Sequence, residues 1–351
     1  MDSTLSKRTA ISSMVIVLIV TVSFPWGTNG AVDKQPGWSE VELGMELASP
    51  RALGVDGEGN LYIADAGDPG IANSGKVVEW KQTSSESAVV FEGISNFVAE
   101  DKGFGIDHIH GASDIAVNQS GDIYLVVGQE SWVENPLRGP SQLIKIGKLG
   151  DVESIFDFNY YEGLHNPDGK AVESNANGVA LSPDQSIWIT DAGGNWSAHL
   201  ARDGSVISSA AFPQVDGQDA VPTGITTDRD GNAYVALFRC QTPTEGRGGI
   251  AKITRDGKLE TIFGELSNSI DITFGGDGSA YVLEFSVDYA PMSGRETRIN
   301  PNGTRDVIMN GLNNPMSLAI IGSQIYVSQM SSPAGGTLGT GGVVVSDLPE
   351  N

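Results

Sequence analysis

The stretch Ala52 to Asp65 reads ALGVDGEGNLYIAD, and it decides the fold because it recurs along the chain. A short apolar run is followed by a turn rich in Gly and Asp, and then by a second run centred on an aromatic residue. Versions of this stretch begin at Asp114, Gly178, Gly224, Asp271 and Ser317. Each version predicts two antiparallel strands joined by a tight turn, in which Gly or Asn supplies a positive φ and Asp caps the turn.

The spacing of the central aromatic residue is regular. It lies ten residues after the start of the first five copies and nine after the start of the sixth. The aromatic residues are Tyr62, Tyr124, Trp188, Tyr234, Tyr281 and Tyr326. Further strand-like segments follow most copies, so the sequence predicts an all-β, six-bladed β-propeller of four-stranded antiparallel blades. Two segments are candidates for the strand that closes the ring, GVVVSD from Gly342 and the run from Trp38 to Ala48.

The first 31 residues have the pattern of a signal peptide, and residues 32–351 are expected to form the propeller. Lys7 and Arg8 precede the apolar run MVIVLIVTVSF, and small residues follow it. This run is shorter than the roughly 20 apolar residues of a membrane span, although an uncleaved anchor is the alternative. We therefore expect a secreted or periplasmic protein with no stable membrane insertion after cleavage.

Charge restricts the class of ligand. The chain has 44 acidic and 21 basic residues, a formal net charge of -23. Neutralising nucleic-acid phosphates requires a surplus of Lys and Arg, so nucleic acid is not an expected partner. A small aromatic molecule or a metal ion suits this charge.

The single Cys excludes an internal disulfide, and no G-x-S-x-G, P-loop or dinucleotide motif is present.

Carboxylates recur at the positions three residues after the aromatics, which we call the strand-end positions. Asp65, Asp191 and Glu284 occupy three of the six. Three carboxylates that converge on the propeller axis repel one another unless a cation lies between them, and calcium favours such oxygen ligands. Together with Asn175 they predict a divalent-cation site. The alternative is that each Asp caps the following loop in an Asx turn.

The residues that open the six copies, which we call the opening positions, include two further acids. Asp114 and Asp271 are expected near the inner surface of the ring and are candidate substrate-binding residues. Buried acids that lie close together must be paired, protonated or metal-bound. The alternative is that each carboxylate accepts hydrogen bonds from backbone amides of the neighbouring blade.

Two longer insertions carry three of the four histidines. His108 and His110 lie two residues apart in an extended segment, and His165 follows Tyr160, Tyr161 and Glu162. An imidazole at neutral pH suits acid–base catalysis or metal binding, so His165 and His110 are the candidate catalytic residues. The alternatives are an exposed loop histidine for His110 and a histidine packed on Tyr for His165.

The repeats resemble NHL-type propellers and, more specifically, the ScyD/ScyE family associated with the cyanobacterial pigment scytonemin. The resemblance rests on segments that include FDFNYYEGLHNPDG from Phe156, SNANGVALSPD from Ser174 and AVPTGITTDRDGNAYVALF from Ala220, and it covers nearly all of residues 32–351. Tyr161, Asn177 and Phe238 lie in these segments and are further candidate substrate-binding residues. The resemblance implies an exported six-bladed propeller that acts late in the assembly of an indole-phenolic pigment. The alternatives are a calcium-dependent lactonase or arylesterase of the gluconolactonase type and a non-catalytic ligand- or protein-binding propeller.

Overall fold

The computed structural model describes residues 37–68, 71–99, 108–128, 131–132, 141–239, 246, 248–288, 292–329 and 341–349. The signal peptide expected over residues 1–31 lies outside these ranges. The predicted fold is confirmed: six antiparallel sheets form the blades of a six-bladed β-propeller. No helix in the described part of the chain is long and apolar enough to cross a membrane.

The strands of the first half follow the repeat. Strand β1 (Ser39–Glu40) precedes the first blade, which comprises β2 (Pro50–Val55), β3 (Leu61–Asp65), β4 (Gly75–Lys81) and β5 (Glu86–Ile94). The second comprises β6 (Phe97–Ala99), β7 (His108–Val117), β8 (Ile123–Gly128), β10 (Gln142–Ile146) and β11 (Val152–Asp157), and β9 (Ser131–Trp132) pairs separately with β12 (Glu173–Ser174). The third comprises β13 (Ala176–Leu181), β14 (Ile187–Asp191), β15 (Trp196–Leu200) and β16 (Val206–Ala211).

The second half is more regular. The fourth blade comprises β17 (Pro222–Thr227), β18 (Ala233–Leu237), β19 (Gly248–Ile253) and β20 (Leu259–Leu266). The fifth comprises β21 (Ser269–Phe274), β22 (Ala280–Glu284), β23 (Gly294–Ile299) and β24 (Arg305–Leu312). The sixth comprises β25 (Ser317–Ile321), β26 (Gln324–Gln329), β27 (Gly342–Asp347) and, as its outermost strand, β1.

Both candidate terminal segments take part in closing the ring. GVVVSD forms β27, and Ser39 and Glu40 pair with Val345 and Val344 of that strand. The Nε1–H of Trp38 donates to the carbonyl of Asn310 in the fifth blade at 3.3 Å. The first and last segments of the described chain therefore share one sheet.

The repeated aromatic residues explain why the spacing is the same from copy to copy. One apolar cluster lies between each pair of neighbouring blades, and the aromatic of each blade lies in the cluster shared with the following blade. Trp188 of the third blade, for example, packs with Val235 of the fourth. A shift of one residue would turn the aromatic to the opposite face of its sheet, so the register is fixed by packing.

The segment FNYYEGLH differs from the loop expected there and forms helix α1 (Phe158–His165). The Asp157 side chain caps its start by accepting from the backbone N–H of Tyr160, and Asn166 ends it in the left-handed conformation. An Asp before the segment and an Asn-Pro pair after it are helix-boundary signals that the sequence does contain.

Candidate functional site

The inner strands of the six blades enclose a cavity of about 350 Å³ on the propeller axis. Each blade contributes residues from its first strand to the wall. Asp114 and Asp271 are the only ionisable side chains in the described lining. They belong to the second and fifth blades, which face each other across a six-membered ring. The volume lies at the lower end of the range of about 300–1,000 Å³ typical of small-molecule pockets.

Asp114 is held by two backbone amides. Its Oδ1 accepts from the N–H of Ile115 at 2.8 Å, and its Oδ2 accepts from the N–H of Val179 in the third blade at 2.7 Å. Burial raises the pKa of Asp114 well above its usual range, and the neighbouring Asp271 carboxylate raises it further. Both effects favour the protonated form of the Asp114 carboxyl group.

Asp271 is held in the same way with one addition. Its Oδ1 accepts from the N–H of Ile272 at 2.8 Å, and its Oδ2 accepts from the N–H of Leu318 at 2.9 Å and the hydroxyl of Ser317 at 2.8 Å. Burial raises the pKa of Asp271 to about 6, and these hydrogen bonds limit the rise. Both channel acids thus have raised pKa values, and Asp271 is the one that receives an additional hydroxyl donor.

Glycine at a neighbouring opening position makes room for Asp271. A Cβ atom on Gly224 would lie 2.2 Å from the Oδ1 of Asp271. Any other residue at position 224 would displace the carboxylate, so the Gly is needed for close approach of backbone and side chain.

The other predicted substrate-binding residues lie around the ring. Asn177 is half-buried at a register shift between Ala176 and Gly178, directly before the third opening position. Phe238 packs edge-on against Phe285 with ring centroids 5.6 Å apart. Tyr161 belongs to α1, and its hydroxyl donates to the Oγ of Ser209 at 2.9 Å. None of these three is among the residues that line the described cavity.

The two candidate catalytic histidines are likewise absent from the described channel lining. His165 is exposed at the end of α1, and its ring centroid lies 4.5 Å from that of Tyr161, the packed arrangement considered as its alternative. His110 is half-buried in β7, where it pairs with Phe97 of β6. A catalytic role for either residue remains a prediction.

The strand-end carboxylates cap the chain that enters the same blade. Asp65 accepts from the N–H groups of Ala48, Ser49 and Gly67 at 2.6–3.0 Å. Asp191 accepts from the N–H groups of Asn175 and Gly194 and from the hydroxyl of Ser174. Each carboxylate therefore satisfies backbone donors of its own blade, as the Asx-turn alternative describes.

Glu284 adds an ion pair to this arrangement. Its Oε1 accepts from the Nε of Arg295 at 2.8 Å and from the hydroxyl of Thr297 at 2.6 Å. Its Oε2 accepts from an Arg295 amino group at 2.9 Å and from the N–H of Ser267 at 2.6 Å. The side chain of Glu284 is fully buried.

The predicted cation-site residues are not brought together. In the described part of the chain, no three His, Cys, Asp or Glu side chains form a group that could hold a metal ion. Asp65, Asp191 and Glu284 instead direct their oxygens at N–H and O–H donors, and Asn175 supplies a backbone N–H to Asp191. A calcium ion does not fit this donor set, because it requires several free oxygens around one point.

Glu162, which precedes His165 by three residues, is a buried acid. Its Oε2 accepts from the Nε1–H of Trp196 at 2.7 Å, while its Oε1 is buried without a hydrogen-bond partner among the described residues. Burial raises the pKa of Glu162 to about 7. The sequence signal that could have identified Glu162 is its position one helical turn before Asn166, in a segment with helix-capping residues.

No protein-family model and no curated protein matches the sequence. Solved six-bladed propellers do match the structure. A virginiamycin B lyase from Staphylococcus aureus, in a catalytically inactive variant with quinupristin, has a TM-score of 0.52 and 15% identity over 88% of this chain and 98% of its own. A protein assigned as a gluconolactonase has a TM-score of 0.55 and 13% identity over 90% and 94%. A Thermus thermophilus protein assigned as an oxidoreductase of the glucose dehydrogenase type has a TM-score of 0.54 and 13% identity over 88% and 98%. These chains share the propeller fold with this protein.

Proposed function

We propose that this protein binds a small aromatic molecule at the central channel and moves protons on it with Asp114 and Asp271. The observation that carries the proposal is the pair of buried carboxyl groups in the cavity of about 350 Å³, both with raised pKa values and each with a different set of hydrogen-bond donors. Two acids whose pKa values are driven apart by their environment provide an acid and a base in one site.

The resemblance to ScyD/ScyE supports a biological setting for this chemistry. We propose that the protein acts outside the cytoplasm, in a late step in the assembly of scytonemin or a similar indole-phenolic metabolite. Indole and phenol rings are neutral and exchange protons at nitrogen, oxygen and ring carbon. A channel that is lined by the first strands of all six blades and polarised by two carboxyl groups has room and polar partners for such a ligand.

Hydrolysis of a lactone is the second candidate, because the gluconolactonase-type neighbour shares the fold. The carboxylate would take a proton from water, the oxygen of that water would add to the carbonyl carbon, and the carboxylic acid would protonate the departing ring oxygen. No metal is needed for this acid–base step. A non-catalytic binding propeller is the third candidate, and it requires only the cavity.

The test replaces each channel acid by its amide. We expect Asp114→Asn and Asp271→Asn each to reduce turnover of an indole-phenol probe about 100-fold or more, since each removes a proton donor or acceptor while preserving shape. Turnover of the unmodified protein should follow a bell-shaped pH profile. It should rise as the base ionises near pH 6 and fall at higher pH as the acid loses its proton.

The matched control is Asp203→Asn, which makes the same chemical change at an exposed turn residue that binds only its local Ser205 in the described structure. Calorimetry and turnover assays with the indole-phenol and with δ-gluconolactone decide between the candidates. Activity on the lactone alone selects the second candidate, and binding without turnover selects the third. Wild-type binding and turnover in both channel variants would contradict all channel-based candidates.

A further inference from the structure

The opening positions repeat with an approximate two-fold symmetry around the ring. In chain order they are Ala52, Asp114 and Gly178 in the first half and Gly224, Asp271 and Ser317 in the second. Each half thus places an Asp between two small residues. Each Asp accepts from the N–H of its own following residue and from one N–H of the next blade, at Val179 or Leu318.

The symmetry is broken at the third member of each half. Ser317 donates its hydroxyl proton to the Oδ2 of Asp271 at 2.8 Å. Gly178, the equivalent residue beside Asp114, has no side chain to donate. Among the described residues, Asp271 therefore receives three hydrogen bonds and Asp114 receives two.

The direction of the Ser317 hydrogen bond is fixed by a third blade. The N–H of Leu53 in the first blade donates to the Oγ of Ser317 at 3.1 Å. Since this oxygen already accepts from Leu53, its own proton is available for Asp271. Ser317 is almost completely buried, so bulk water does not compete for either bond.

We propose that Ser317 is a positioning residue that keeps the proton of the channel pair on Asp114 and leaves Asp271 as the carboxylate. Asp114 is then the acid and Asp271 the base in the channel. This assignment rests on the proposed function for its chemical meaning, but the location of the proton is a property of the free protein.

Physical chemistry supports the direction of the effect. A hydrogen bond donated to a carboxylate stabilises the ionised form, and among the described residues a hydroxyl donor reaches Asp271 and not Asp114. Asp114 and Asp271 are also the only titratable groups in the described lining, so each is the charged neighbour of the other. Burial raises the pKa of both acids, and the Ser317 hydroxyl lowers only that of Asp271.

The packing around Gly178 leaves no room for a side chain that could give Asp114 an equivalent hydroxyl donor. A Cβ atom there would lie 2.5 Å from the carbonyl oxygen of Thr223 and 2.7 Å from the Oγ1 of Thr190. A hydroxyl-bearing residue beside Asp114 would therefore displace backbone. The fold permits the extra donor in one half of the ring only.

The test follows the carboxylic-acid C=O stretch by infrared difference spectroscopy across pH, in the full-length protein and without ligand. We expect Ser317→Ala to move the lower ionisation step of the pair upward by about one pH unit, roughly tenfold in the ionisation constant. Ser317→Thr, which retains a hydroxyl, should restore the wild-type value. Ser328→Ala is the matched control, because it removes a buried hydroxyl that bonds to the backbone of Ser317 and does not reach Asp271.

A second arm uses the two amide variants and does not depend on the folding of Ser317→Ala. The acid that remains in Asp114→Asn should ionise at lower pH than the acid that remains in Asp271→Asn. The reverse order, or a Ser317→Ala titration identical to wild type, would overturn the inference. If the titrations agree with expectation but no ligand binds, the proton assignment stands and the proposed function fails. If the ligand is turned over but the titrations do not shift, the proposed function stands and the proton assignment fails.

Discussion

Arg295→Met is expected to lower the free energy of unfolding by about 3–5 kcal/mol, because it leaves the fully buried Glu284 carboxylate without its cation. The ion pair is bidentate, with N···O distances of 2.8 and 2.9 Å. Ser267 and Thr297 would still donate to Glu284, but two neutral donors do not balance a buried negative charge. Urea or guanidinium denaturation at pH 7 measures the loss.

The control for this substitution is Arg305→Met in the next strand. Arg305 pairs with the exposed Glu265 at 3.0 Å, and surface pairs of this kind contribute about 0–1 kcal/mol. The double variant Glu284→Gln/Arg295→Met should recover most of the loss, because the charge leaves with its partner. Gln329 of the sixth blade already uses an amide at the equivalent strand-end position, where it accepts from the N–H of Asn313. A loss in Arg295→Met no larger than in Arg305→Met would contradict this account.

Glu296→Met is expected to stabilise the protein, and more so at alkaline pH. Glu296 lies between Leu283 and Met309 on the face of β23 that packs into the cluster between the fifth and sixth blades. Neither carboxyl oxygen has a hydrogen-bond partner among the described residues. Burial raises the pKa of Glu296 to about 8, although the nearby Arg298 opposes this rise.

The pH dependence follows from the direction of that shift. Between the unfolded pKa of 4.5 and the folded pKa of about 8, the folded state binds a proton that the unfolded state has lost. Glu296 therefore contributes a loss of stability on the order of 1.4 kcal/mol per pH unit over this window. The free energy of unfolding of Glu296→Met minus that of wild type should be small near pH 4.5 and should grow up to about pH 8. Glu296→Gln should remove the pH dependence while keeping a buried polar group, and a flat difference curve for both variants would contradict the assignment.

The architecture was predictable because packing imposes the same requirement on every blade. Trp188 and its five equivalents each fill the space toward the following blade, so the spacing between copies records a contact that the fold repeats six times. Helix α1 was not predicted, since it occurs once and its caps lie in a segment without periodicity. The closing strand could not be chosen from the sequence because both terminal segments are part of one sheet.

The candidate site was predictable in part. Aligning the opening positions identified Asp114 and Asp271 as residues near the inner surface, and the structure places both in the channel. The same alignment suggested that Asp65, Asp191 and Glu284 converge, but equivalence in a ring does not decide which way a side chain turns. Their oxygens turn to nearby backbone donors because an unsatisfied buried N–H is unfavourable. Arg295 and Ser317 were not recognised, because their partners lie on other strands and their role depends on which face of the strand they occupy.

The closure of the ring has a consequence for the maturation of the channel. Two of the three donors to Asp271 come from β25 in the last blade, and the serine among them is oriented by Leu53 in the first. Without the packed sixth blade, the Asp271 carboxylate lacks those donors and the N–H of Leu53 lacks its acceptor. The set of donors to Asp271 is therefore complete only when the sixth blade packs against the first, so closing the ring also completes the hydrogen bonding of this channel acid.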